Sequence, residues 1–367
     1  LETERVSPGF LGGIALATLF LLLSAGSGQA QCLNGFEYAI CPDVGTIFIQ
    51  DQKTLGAVRI SDGTLLWRTA LPQIDVAYNG PVATPDSVVM CAGFPDTRID
   101  AFDAATGQMT WHLATSSRDL NSFGSLILMN DPQYWDGITA LEGRTGKKVW
   151  HHPAKPPRSA NPSGSPGHIL LTKQHAIDAD TGQVLYDWPR HWDVSAMVLT
   201  DRLRAIGTSR GEMAVYSAGQ MLWAKHDPRR RYIGGLAADP EHILIARYDG
   251  YYPYFHPVHG TLELMFATSG KTIWSKGIAS NFMLLPLPIA LIQGLAISVM
   301  PDSPNSSVVQ AFDAPTGRQQ WVIHADRKLD GDIVCSSPHC FLGAFPGEVL
   351  MLDAQSGAAS WFALPKQ

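Results

Sequence analysis

The chain has 367 residues, of which 16% are charged and 9% aromatic, with a formal net charge of -6. That balance supplies no bulk positive field for a nucleic acid, and the aromatic and β-branched content is too high for a disordered chain. The length exceeds what one ordinary core serves, unless the chain is a repeat array whose units pack only on their neighbours.

Residues 1–30 read as an export signal. Phe10–Leu23 is an apolar run of h-region length, and Gly28-Gln29-Ala30 places small residues before a cut at Gln31. The n-region has Arg5 as its only cation. An uncleaved anchor is the rival reading, but the run is short for a bilayer span. Cys32 lies near the cut, yet Gln29-Ala30-Gln31 lacks the apolar-then-small pattern of a lipobox. Cleavage near Ala30 would leave residues 31–367 as one periplasmic or secreted domain. Five cysteines fit an oxidising compartment. Cys335 and Cys340 flank a short turn and can bridge a hairpin. Cys32 and Cys41 can close a second loop, although Cys41 could equally bond across to the end of the chain. Cys91 sits in an apolar strand and reads as a buried thiol.

From there the chain repeats. Ala101-Phe-Asp-Ala-Ala-Thr-Gly-Gln-Met-Thr-Trp111 is a strand, a Thr-Gly turn and a second strand ending in Trp, and Ala311–Trp321 is nearly a copy. Eight such units end at Trp67, Trp111, Trp150, Tyr186, Trp223, Trp274, Trp321 and Trp361, steps in the range of four-stranded propeller blades. The copies ending at Trp223 and Trp274 read as having a shorter turn. Each unit reads as four short strands, A to D, bounded by Gly, Pro, Asn or Asp. Met283–Met300 is apolar, but Pro286, Pro288 and Gln293-Gly294 make it a pair of strands rather than a span. Glycine closes each C-to-D turn, where positive φ is cheap only without a Cβ. Asp103, Asp178, Asp313 and Asp353 precede the turn and can accept its amide hydrogens. The terminal indole brings a large apolar face and one N–H donor, which we expect to dock against the next blade.

The frame Ala-x-Asp-x-x-Thr-Gly-x-x-x-Trp resembles the tryptophan-docking repeat of pyrroloquinoline-quinone (PQQ)-like propellers, over about Phe36 to Leu364. The resemblance implies an all-β, eight-bladed β-propeller of four-stranded antiparallel blades. The same repeat builds quinoprotein alcohol dehydrogenases and the non-catalytic, BamB-like propeller of the bacterial outer-membrane assembly machinery. Here the blades leave little chain for the insertions of a quinone chamber. No vicinal Cys-Cys pair is present, and no residues match the calcium ligands or catalytic Asp of those enzymes. The resemblance therefore implies a protein-binding scaffold with no cofactor and no catalytic residues. The alternatives are a small quinoprotein oxidoreductase using PQQ and Ca2+ on an alcohol or sugar, and a propeller binding a glycan or small ligand.

Strand order puts the A–B and C–D turns on one face and the B–C and D–A connections on the other. The first class is tight throughout, as at Pro85-Asp86, Pro166-Gly167, Asp201-Arg202 and Gln293-Gly294. The second carries the long segments: His151–Ser165, His226–Tyr232, Asp249–Gly260 and Pro301–Ser306. Binding residues concentrate on variable loops held by a rigid scaffold, so that face is the expected working face. Arg229, Arg230 and Arg231 lie on one link, and Tyr251, Tyr252, Tyr254 and His256 on the following loop. Arg and aromatic side chains are the preferred anchors of protein interfaces, and these seven are the candidate partner contacts. The bland reading is a loop folded on its own aromatics beside a solvated basic turn. His256 and His259 lack a third ligand nearby in sequence, so no metal is expected.

Overall fold

In the computed structural model the repeats fold into eight antiparallel sheets, each built from consecutive strands. The structure describes residues 32–35, 38–51, 53–71, 80–92, 98–115, 120–130, 137–152, 169–171, 175–187, 194–200, 203–217, 220–249, 258–280, 288–344 and 347–365. The expected export signal lies outside them. Six sheets have four strands, one has five and one three. In the three-stranded fourth blade, Ile169–Leu171, His175–Asp178 and Val184–Asp187 take the B, C and D places. Its expected inner strand falls in 153–168, outside the described residues. The apolar stretch before Met300 is a hairpin, Ile289–Ile292 with Leu295–Ser303, turning on Gln293 and Gly294 at φ 50° and 74°. Two positive φ values make the turn whose twist matches that of paired strands. No helix among the described residues is long and apolar enough to cross a membrane.

The blades pack through their outer strands. The Trp67 indole N–H donates to the Ala104 carbonyl of the next blade at 2.9 Å, and Trp111 to Gly143 at 2.9 Å. Trp150 donates to Ala179, Trp223 to Ala267 and Trp274 to Ala314, each at 2.7 Å, and Trp321 to Ala354 at 3.0 Å. Each indole face covers the turn glycine of that next blade. At Gly146 (φ 69°), a Cβ would stand 2.7 Å from the Trp111 ring. Glycine is therefore needed twice there, for the positive φ and for the contact. The Tyr186 side chain lies outside the described set. The turn of blade 6 has the ordinary length: Gly270 N–H donates to Phe266, as Gly107 N–H does to Asp103. Phe266 stands where blades 2, 4, 7 and 8 have Asp, which made that copy look short. In blade 5 the ladder does run on to Ser217 paired with Gln220.

Trp361 departs from the expected docking role. In blades 1 to 7 the C–D ladder carries a register irregularity, which pairs Ala101 with Trp111 and Phe102 with Met109. The last blade runs without it, pairing Leu350 with Trp361 and Met351 with Ser360. A one-residue change of register sends each side chain to the opposite face. Trp361 is accordingly 39% exposed, under the Arg327 guanidinium at 4.9 Å. Its neighbour Phe362 is buried and faces Gly63 of blade 1, 3.7 Å from where a Cβ would stand. Phe362 and Leu364 share one apolar cluster with Tyr38, Ile40, Ile47 and Ile49. The Tyr38 hydroxyl donates to the Phe341 carbonyl at 3.0 Å, and Arg68 to that of Pro365 at 2.6 Å. The first and last sheets thus meet through side chains, with no strand exchanged between them.

The fifth strand of blade 1 is Leu33–Gly35, paired antiparallel with the inner strand Tyr38–Cys41. It also lies against the inner strands of blades 8, 2 and 3, which places it inside the ring. A disulfide between Cys32 and Cys41 ties it down, and Cys335–Cys340 forms the second bridge. Cys91 is buried and takes part in neither disulfide.

Candidate partner-binding face

The ends of the strands fix which connections share a face. Among the described A–B and C–D connections the longest are five-residue turns such as Ile60–Thr64. The B–C and D–A connections include 71–81, 131–137, 188–193, 249–257 and 281–288. Length therefore accumulates on one face, as the sequence pattern implied. The Pro301–Ser306 excursion is a correction: both strands continue through it, leaving a Pro304–Asn305 turn closed by Ser303 Oγ and Ser306 Oγ at 2.6 Å. It is a raised hairpin, because a two-residue turn lets the ladder run to its end. Blade 6 is also extended, with Val258–Phe266 paired to Thr272–Ser280.

At the D–A link between blades 5 and 6 the sequence Asp227-Pro228-Arg229-Arg230 builds a β-turn. Arg230 N–H donates to the Asp227 carbonyl at 2.8 Å, and Arg229 N–H to Asp227 Oδ1 at 3.0 Å. Asp at the first place and Pro at the second suit such a turn. Beneath it lies a charge network that the sequence did not reveal. Arg231 Nε meets Asp227 Oδ2 at 2.7 Å, and Arg231 Nη2 meets Glu263 Oε1 at 3.4 Å. Arg247 Nε meets Glu263 Oε2 at 3.3 Å, with Asp227 Oδ2 at 3.9 Å from Nη1. Arg231 Nη1 also donates to Thr261 Oγ1 at 2.8 Å. Arg247, Asp227 and Glu263 are all buried. Burial acts to raise the Asp227 pKa. The Arg229 amide, the Arg231 hydrogen bond and the charges of Arg231 and Arg247 outweigh it and hold the carboxyl below its ordinary value.

The structure thus separates the three arginines. Arg231 is a structural ion-pair partner between blades 5 and 6 rather than a surface anchor, because its guanidinium turns inward onto two carboxylates. Arg229 and Arg230 are exposed. Tyr251, Tyr252, Tyr254 and His256 lie outside the described residues, as do Lys155 to Arg158. The buried ion network was detectable in principle: Arg247 and Glu263 interrupt apolar strands, and charges at such places must meet one another.

Among the described residues no three His, Cys, Asp or Glu side chains lie where they could share a metal ion. Leu33–Gly35 lies inside the ring, against the inner strands of blades 8, 1, 2 and 3.

Comparison with known proteins agrees with this geometry. The family described as outer membrane protein assembly factor BamB matches residues 39–163. A comparison with curated protein sequences found no match. Among solved structures, BamB from Moraxella catarrhalis superposes with a TM-score of 0.62 at 12% identity, covering 93% of this chain and 98% of that one. The computationally designed Ika8 protein gives 0.58 at 14% identity, over 92% and 97% of the two chains. Quinohemoprotein alcohol dehydrogenase from Comamonas testosteroni gives 0.56 at 14% identity, over 92% of this chain and 76% of that one. At such identities the likeness is one of fold.

Proposed function

Since the chain is a PQQ-like propeller, we propose that it is an exported, non-catalytic scaffold that holds a protein partner on the face carrying its long connections. The observation that carries this reading is the asymmetry of the two faces. A ring of blades needs only short turns for its own folding, and among the described residues only one face departs from that minimum. The two disulfides suit an oxidising compartment, in keeping with cleavage of residues 1–30 as a signal. The BamB match supports a place in outer-membrane protein assembly as the specific role. The scaffold works without PQQ or calcium in this reading.

The test blocks one face at a time. Single cysteines are placed at Pro228 and Asp302 on the elaborated face, and at Asp86 and Asp180 on the plain face. Each is capped with a maleimide carrying a bulky polymer. Co-purification of the partner from its host's envelope should be lost with the first pair and kept with the second. Loss confined to the plain-face pair would reject the reading.

A further inference from the structure

We propose that the Asp227–Arg230 turn is a carboxylate-reading site, and that its ligand is an acidic segment of the protein partner. The proposal rests on the scaffold reading above and names the chemistry of one part of its face. The first argument is charge. Two buried carboxylates, Asp227 and Glu263, face two guanidinia, Arg231 and Arg247, so the network beneath the turn is balanced within itself. Nothing is left over to neutralise the side chains above. Among the described residues neither the Arg229 nor the Arg230 guanidinium meets a carboxylate, and both residues are exposed. Exposed His226 precedes the turn, and the neighbouring Lys225 ammonium is already bound to the Gly270 carbonyl.

The second argument is backbone shape. Arg230 occupies the fourth place of the turn, where Gly is favoured, and its φ is 51°. A residue with a Cβ costs roughly 1–2 kcal/mol there relative to Gly. The turn nonetheless carries a cation at that place, and the Arg230 backbone N–H donates to the Asp227 carbonyl, so the two adjacent arginines stand on a fixed backbone. Guanidinium forks suit planar, bidentate acceptors. A run of Asp or Glu supplies several such acceptors along an extended chain and can engage both forks. A phosphate group could meet the same donors, so the test separates the two.

The probe is a fluorescein-labelled octaglutamate peptide, followed by anisotropy at low ionic strength with the whole secreted chain. Wild type should bind it and not octalysine, and added salt should weaken the complex. R229A and R230G should each weaken binding about fivefold or more, and the double variant should abolish it. Gly fits the positive φ, so R230G should keep or raise the thermal midpoint, which separates loss of charge from loss of fold. No binding by wild type, or equal binding by the double variant, would overturn the proposal. So would preference for phosphate-bearing vesicles or inorganic phosphate over the peptide. Failure here with partner capture still lost from a blocked elaborated face would leave the scaffold reading standing. Capture lost only from the plain face would remove both.

Discussion

Phe362, and not Trp361, lies against Gly63 at the seam where the ring closes. The absence of one register irregularity in the last blade places it there. Phe362→Ala should therefore cost about 3–5 kcal/mol, the range for emptying a buried Phe site. Trp361→Ala should cost much less, because its ring is already partly in water. Chemical denaturation of both variants decides this, and a larger loss for Trp361→Ala would mean that the seam uses the indole after all.

The other junctions behave differently. Gly146→Ala puts a methyl into the Trp111 ring and an L residue at φ 69°. A loss of at least about 1–2 kcal/mol is expected from the backbone strain alone, read as a lowered denaturation midpoint. Trp111→Phe keeps most of the apolar face but leaves the Gly143 carbonyl without its 2.9 Å donor. A loss of about 1 kcal/mol or more follows.

These seams also mark what was legible in the sequence. The eight units, the tight face and the elaborated face are local patterns, written in the spacing of Gly, Asp and Trp, and they survive into the structure. Trp361 was misread because its spacing from Gly357 is ordinary; only the pairing of Leu350 with Trp361 reveals the shifted face. Arg231 was read as a surface anchor because its partner Glu263 lies far along the chain and meets it only once the strands of blade 6 have paired. The strand inside the ring was not visible at all. Leu33-Asn34-Gly35 carries no periodic signal, and its place follows from the inner edge of Tyr38–Cys41 and from Cys32.

The strand Leu33–Gly35 gives a redox prediction. It has three paired residues, too few to hold an added edge strand without help. The Cys32–Cys41 bridge, nine residues apart in sequence, should contribute on the order of 2–3 kcal/mol by limiting the unfolded chain. In the C32S variant, amide exchange at Asn34 and Gly35 should rise to that of an unstructured segment, while exchange in blades 3 to 6 stays slow. Unchanged protection of the strand would show that packing alone holds it.

Acid should act through the network under blade 6. The Asp227 carboxyl titrates below its ordinary value of 3.8 when folded. Its contribution is therefore complete above that value and is lost as pH falls through the lowered one. Stability should drop with acid below about pH 4, and less steeply in Asp227→Asn. At neutral pH, Arg247→Met should cost about 3–5 kcal/mol, because it leaves the two buried carboxylates, Asp227 and Glu263, to share the one guanidinium of Arg231. Urea midpoints across pH 2–7 for the three proteins check both statements.

The most direct measurement of the central claim is photo-crosslinking in the living host. A photoreactive residue is placed in turn at Arg229 and Asp302 on the elaborated face, and at Asp86 and Asp180 on the plain face. Adducts to a common protein partner from Arg229 and Asp302, with none from Asp86 and Asp180, are the predicted result. Adducts to that partner from the plain face alone would contradict it.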